Sequence, residues 1–290
     1  FLFTEKINFF ETLKKVVKYY NSPVLTVNYL LHALMQKKIK DLGYKVVISG
    51  NGADEISAGY YDHYLYHLKD LKNFGTNKEF KDGYADWKKY LHPIIRNKNF
   101  KNFNKYFKNI QNPTIKNEYK DIFKSNLDLN LKSSNFFHSD LKNKMNSQIP
   151  ERLYPILYMD DLNSMMNSIE NRTPFLDSKL VEFLFTIPSS IYIQKGYSKY
   201  ILRNSMKGIL NNKIRNARRK YGFNASLSSF KDFTKKKYIE YLYDNIKDIS
   251  HLINKEKLYK LIKKIDFAHM TDNENKLLFR LISTSMFYSP

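Results

Sequence analysis

The sequence predicts an α/β fold in which helices dominate, and three observations carry that expectation. Apolar residues recur at helical spacing along most of the chain. One short β-branched run, Tyr44 to Ile48, is bounded by Gly43 and Gly50 and reads as a buried strand. The order around it is helix, strand, loop, helix, as in an α/β layer.

The elements follow in order. Phe9, Leu13, Val16, Val17 and Tyr20 share one helical face, and Ser22-Pro23 breaks that helix. Leu31, Leu34, Met35, Ile39 and Leu42 form a second stripe ended by Gly43. After the strand comes "SGNGADEISAGYY". The chain has 9 glycines in 290 residues, and Gly50, Gly52 and Gly59 all fall here. Glycines directly after a strand let the backbone come close to a ligand, and a following helix start favours anions. Asp54 and Glu55 would repel bare phosphate, a conflict that a divalent cation resolves. Mg²⁺ commonly takes one or two carboxylates plus phosphate oxygens. The stretch therefore suggests a loop touching a Mg-nucleotide. It equally reads as a tight turn with acids in the first turn of a helix, where they are favoured anyway.

Residues from about 65 to 150 are rich in Lys, Asn, Phe and Tyr and predict helices and long surface connections. His63 and His67 share a helix face, but Tyr64 stands where a zinc-protease helix has Glu, so no zinc is assigned. From Tyr158 a helix runs to about Glu170. An extended Thr-Pro step follows, then a helix capped by Asp177 with Leu180, Val181 and Leu184 on its apolar face. "SKYILRNSMKGIL" predicts a helix with Leu202, Met206, Ile209 and Leu210 inward, and helices close the chain.

Composition narrows the function classes. The hydrophobic fraction of 42% supports a core, and no run approaches a membrane span. No cysteine is present, which excludes disulfides and thiolate chemistry in these residues and fits the cytoplasm. The net charge of +21 suggests an anionic partner, but the lysines are dispersed and no nucleic-acid motif accompanies them. Residue 1 is Phe, which suggests a segment of a longer chain.

Several separated motifs resemble one family. Ser49-Gly50-Asn51-Gly52-Ala53-Asp54-Glu55 with Ala58-Gly59-Tyr60 resembles the "SGEGADE…GGY" loop of asparagine synthetases. Asp161 and Ser164-Met165, then Ser168 through Asp177, resemble "D-x-x-S-M…S-x-E-x-R-x-P-F-L-D". Tyr200-Ile201-Leu202-Arg203 resembles "K-x-L-L-R", and Arg218 through Phe223 resembles "R-x-K-x-G-F". The resemblance implies an adenine-nucleotide alpha-hydrolase-like parallel sheet, with residues 1–290 as the C-terminal part of a synthetase domain. It also implies that ATP adenylates a carboxylate, aspartate or another small or sugar acid, for attack by ammonia or an amine. Asparagine biosynthesis is one such outcome.

The resemblance assigns Ser49, Gly50 and Gly52 to the nucleotide and Asp54 to Mg²⁺. Asn51 and Lys220 become catalytic candidates. Lys220 sits in "KIRNARRKYGF", where Lys213, Arg215 and Arg218 read as a solvated face. Glu170 and Arg172 read as a buried structural pair. Three departures stand out: no "SGGxDS" pyrophosphate loop occurs, Asn51 replaces a usual Glu, and Leu162-Asn163 replaces "R-x". Ammonia would come from a glutaminase domain or partner; no nucleic acid or membrane partner is expected, and a homodimer is left open. The competing expectations are a degenerate, non-catalytic scaffold subunit and a basic nucleic-acid-binding protein.

Overall fold

A computed structural model describes residues 7–95, 97–108, 122–124, 136–219, 222–223 and 225–289, the side chains of 247 and 248 excepted. Among these residues helices predominate, and two short strands form a parallel sheet. Strand β1, Val46–Ile48, pairs with β2, Glu170–Arg172, in the register Val46 to Glu170 and Ile48 to Arg172. The ladder continues at both ends, where Glu170 N–H donates to Lys45 O and Ser49 N–H to Arg172 O, each at 2.8 Å.

The first helix, Phe9–Tyr20, has the bounds that its apolar stripe predicts, and Asn8 caps it by accepting from the Glu11 N–H. Its inward residues Phe9, Leu13, Val16 and Val17 join Leu227, Phe230, Tyr238, Leu278 and Ile282 in one core. Phe9 meets the rings of Phe230 and Phe233 edge-on, each at 5.1 Å. The first helix is thereby packed in one core with the closing helix Asp272–Tyr288. A second core gathers Tyr64, Leu65, Leu68, Trp87, Leu141, Met145 and Tyr192 beneath the helices Tyr61–Phe74 and Asp140–Gln148.

Several expectations are corrected. The strand is shorter than Tyr44–Ile48 and is not buried: Val46 is 43% exposed and Ile48 74%. Parallel sheets are normally covered on both faces; here the face carrying Val46, Ile48, Glu170 and Arg172 is exposed, while Val47 and Asn171 on the other face are half-buried. The strand β2 was not anticipated, because Glu-Asn-Arg carries no apolar alternation. The helix before it, Tyr154–Met166, stops short of Glu170. The second helix, Val27–Asp41, buries Leu30, Ala33 and Gln36 rather than its larger stripe, and Leu42 is exposed. The helix predicted through Leu210 ends at Ser205; Gly208 at φ +83° turns the chain, and Ile209 and Leu210 are exposed. Asp177 does cap its helix, accepting from Leu180 N–H at 3.1 Å. No helix among the described residues is long and apolar enough to cross a membrane.

Candidate functional site

The site is built where β1 ends. Ser49 and Gly50 leave the strand, Asn51 and Gly52 make the turn, and Ala53–Ile56 forms one helical turn. Gly52 adopts φ +89°, and a Cβ there would run into the Leu176 side chain, with Cγ at 2.7 Å. Glycine is thus required twice over, by backbone and by space. At Gly50 a Cβ would meet nothing within 4 Å, so the chain is open there to an approaching group. The Ser49 hydroxyl is buried and has no hydrogen-bond partner among the described residues. A buried polar atom without a partner is costly unless a ligand or water satisfies it. Both features fit a nucleotide at the carboxyl end of a parallel strand.

The two adjacent acids part ways. Glu55 is buried and accepts from the Tyr60 hydroxyl, over whose ring Arg152 sits at 5.1 Å. Burial first, then that hydrogen bond, pushes the Tyr60 hydroxyl well up. Asp54 instead meets Lys199 Nζ at 2.7 Å, with both side chains about one quarter exposed. Gly59 makes room for this pair. Its hypothetical Cβ would lie inside van der Waals contact of Asp54 Oδ1, 2.7 Å from Asp54 Cγ and 2.5 Å from Lys199 Cε. Ala58 beside it holds φ +56°, a left-handed conformation unusual for alanine.

Lys199 is a residue that the sequence reading missed. The signal was present, since Lys199 is the lysine of the "K-x-L-L-R" pattern matched through Arg203. It competes directly with the expected metal. Among the described residues no three His, Cys, Asp or Glu are placed to hold an ion. Asp54 in this arrangement pairs with Lys199, and as a single carboxylate it could meet a Mg²⁺ ion only together with phosphate oxygens.

Asn51 donates its side-chain N–H to Asp160 Oδ2, and His32 Nδ1 lies 3.3 Å from Asp160 Oδ1. Burial raises the Asp160 carboxyl above its ordinary value, and burial lowers His32. Neither His32 nor Asp160 had been singled out, since they stand on separate helices, 128 positions apart in number and joined only by folding.

The basic segment is also corrected. Arg218 is no solvated cation: it lies between the rings of Tyr90 and Tyr197, at 3.9 and 3.8 Å, and donates to Lys195 O at 3.2 Å. Arg203 reaches back to Arg215 O and to Ser198 O, tying the two halves of the segment together. Lys220, the catalytic candidate, lies outside the described residues. Glu170 and Arg172 do pair, at 2.7 Å, but exposed at 59% and 62% rather than buried, because both stand on the uncovered face of β2. His63 and His67 are buried in the helix Tyr61–Phe74; His63 Nε2 bonds Gln148 Oε1 at 2.6 Å.

The family model described as "Asparagine synthase" matches residues 2–288. "Asparagine synthetase [glutamine-hydrolyzing] 1" of Bacillus subtilis (strain 168) is 38% identical over 68 residues, which is 23% of this chain and 11% of that protein. The matched stretch thus spans about a tenth of that relative's length. With the family model covering nearly its whole length, this chain belongs to the asparagine synthase family.

Proposed function

We propose that this protein is an ATP-dependent carbon–nitrogen ligase of the amidotransferase type. It adenylates a substrate carboxylate, releasing pyrophosphate, and ammonia or an amine displaces AMP to give the amide. The observation that carries the reading is the β1 terminus, with its unpartnered Ser49 hydroxyl and the open space over Gly50. Such a terminus in an α/β layer of the adenine-nucleotide alpha-hydrolase kind receives the nucleotide, with Ser49, Gly50 and Gly52 against it. Lys199, paired with Asp54 beside the loop, brings a cation to it. In this proposal the compact ammonium of Lys220 neutralises charge on the α-phosphate.

Mg²⁺ accompanies the nucleotide's phosphates. Its assignment to Asp54 requires Lys199 to yield that oxygen. The acid is aspartate or another small or sugar acid, the ammonia source a glutaminase domain or partner, and the compartment the cytoplasm, in keeping with the absence of cysteine.

The test is carboxylate-dependent exchange of pyrophosphate into ATP, followed by AMP and amide formation with ammonium chloride. L-Aspartate and a uronic acid are the first acids to try. Lys220→Ala should lose on the order of 10²–10³ in amide formation, and Lys220→Arg should recover little of it. A folded protein with no exchange on any acid would favour the degenerate scaffold reading.

A further inference from the structure

We propose that Asp160, itself held by His32, is a positioning residue that fixes which end of the Asn51 amide faces the reacting centre, so that position 51 presents a carbonyl acceptor to the N–H of the incoming ammonia or amine. The inference rests on the amide-forming reading and adds to it the group that orients the nucleophile.

The argument begins with the donor and acceptor inventory. An ionised carboxylate only accepts hydrogen bonds. Asp160 Oδ2 therefore requires the Asn51 nitrogen rather than its oxygen, and the hydrogen bond runs from Asn51 Nδ2 to Asp160. The carboxamide is planar, so Oδ1 is turned away from Asp160. His32 Nδ1, 3.3 Å from Asp160 Oδ1, supplies the proton on the other side. Gln36 Nε2, 3.2 Å from His32 Nε2, donates to that nitrogen in the tautomer with the proton on Nδ1, and Asn163 Nδ2 donates to Tyr29 O at 3.1 Å. The helices Val27–Asp41 and Tyr154–Met166 thus clamp the imidazole, which clamps the carboxylate, which sets the amide on the turn after β1.

A carbonyl oxygen repels a substrate carboxylate and attracts an N–H. Position 51 consequently suits the nucleophile better than the acid. In the step concerned, the amine lone pair forms the C–N bond to the acyl carbon. The C–O bond to the phosphate breaks, AMP leaves with that electron pair, and the amine's proton passes to water. Asn51 is neutral and takes no proton. Its part is to hold the N–H so that the lone pair points at the carbon.

The experiment uses the full-length protein with ammonium chloride as nucleophile. Asp160→Asn allows Asn51 to turn either way. The KM for ammonia should rise about threefold to tenfold, the worth of one hydrogen bond, and the ratio of amide formation to pyrophosphate exchange at low ammonia should fall equally. His32→Asn, which keeps an N–H near the position of Nδ1, should preserve more of that ratio than His32→Leu. In an Asn51→Ala background, Asp160→Asn should change the KM no further. An unchanged ammonia KM in folded Asp160→Asn, or additive effects in the double variant, would overturn the proposal. If Asp160→Asn does not fold, Asn51→Ala is read instead, and an unchanged ammonia KM overturns it equally. Absence of exchange in the unmodified protein would count against the ligase reading alone. The orientation is then read from the Asn51 side-chain amide protons by NMR: one should be shifted downfield and slow to exchange, and two freely exchanging protons would overturn it.

Discussion

Gly59→Ala probes the Asp54–Lys199 pair without touching either charge. Gly59 does not have a positive φ, so alanine brings no backbone penalty there. Its methyl would instead enter the space of Asp54 Oδ1 and Cγ and of Lys199 Cε, the last two at 2.7 and 2.5 Å. Asp54, one member of the pair, sits on the one-turn helix Ala53–Ile56, so it has little freedom to retreat. Overpacking of this kind costs about 1–3 kcal/mol, which for a chain of this size lowers Tm by roughly 2–5 °C. The expected result is a modestly less stable protein whose pyrophosphate exchange falls more steeply than its stability. The Asp54→Ala background supplies the control, because it removes both clashing Asp54 atoms. Adding Gly59→Ala there should cost less than it does alone, with a coupling of about 0.5–3 kcal/mol. Thermal melting of the four proteins gives the cycle. Additive effects, or a Gly59→Ala protein with unchanged melting and exchange, would refute the reasoning.

Three further outcomes are expected. Gly50→Ala meets nothing within 4 Å, so its melting should stay within about 0.5 kcal/mol of the parent, while ATP binding by calorimetry weakens; unchanged binding would remove Gly50 from the site. Arg218→Lys keeps the charge but loses the planar stacking between Tyr90 and Tyr197, so it should destabilise by about 1–2 kcal/mol in a denaturant titration, and equal stability would show the sandwich to be idle. His63 accepts from Tyr60 N–H at Nδ1 and meets Gln148 at Nε2, and burial lowers it to about 4. Because its folded value lies below the ordinary 6.5, its contribution is complete above pH 6.5 and is lost as pH falls toward 4. The loss is on the order of 3 kcal/mol, and an NMR titration of His63 near 6.5 in the folded protein would contradict it.

The sequence alone determined the parts whose cause is local. The helix at Phe9–Tyr20 follows from spacing, its end from Ser22-Pro23, and the cap at Asp177 from a short side chain reaching a nearby N–H. The loop from Ser49 to Gly52 was legible because glycine marks its special backbone chemistry in the sequence itself. Family membership was legible for a similar reason, since the motifs are short strings in fixed order. What lay beyond the sequence was pairing across distance. Strand β2 is three polar residues that extend only because β1 offers them hydrogen bonds. Arg218 reads as one cation in a basic run until two tyrosines from elsewhere close on it. Asp54 stands without a visible partner in the sequence, and folding brings Lys199 to its oxygen. Asp160 and His32 carry no local signature at all; burial and the meeting of two helices give them their hold on Asn51. Charge, hydrogen-bond direction and exposure depend on neighbours far away in the chain, and the tertiary structure alone decides which neighbours those are.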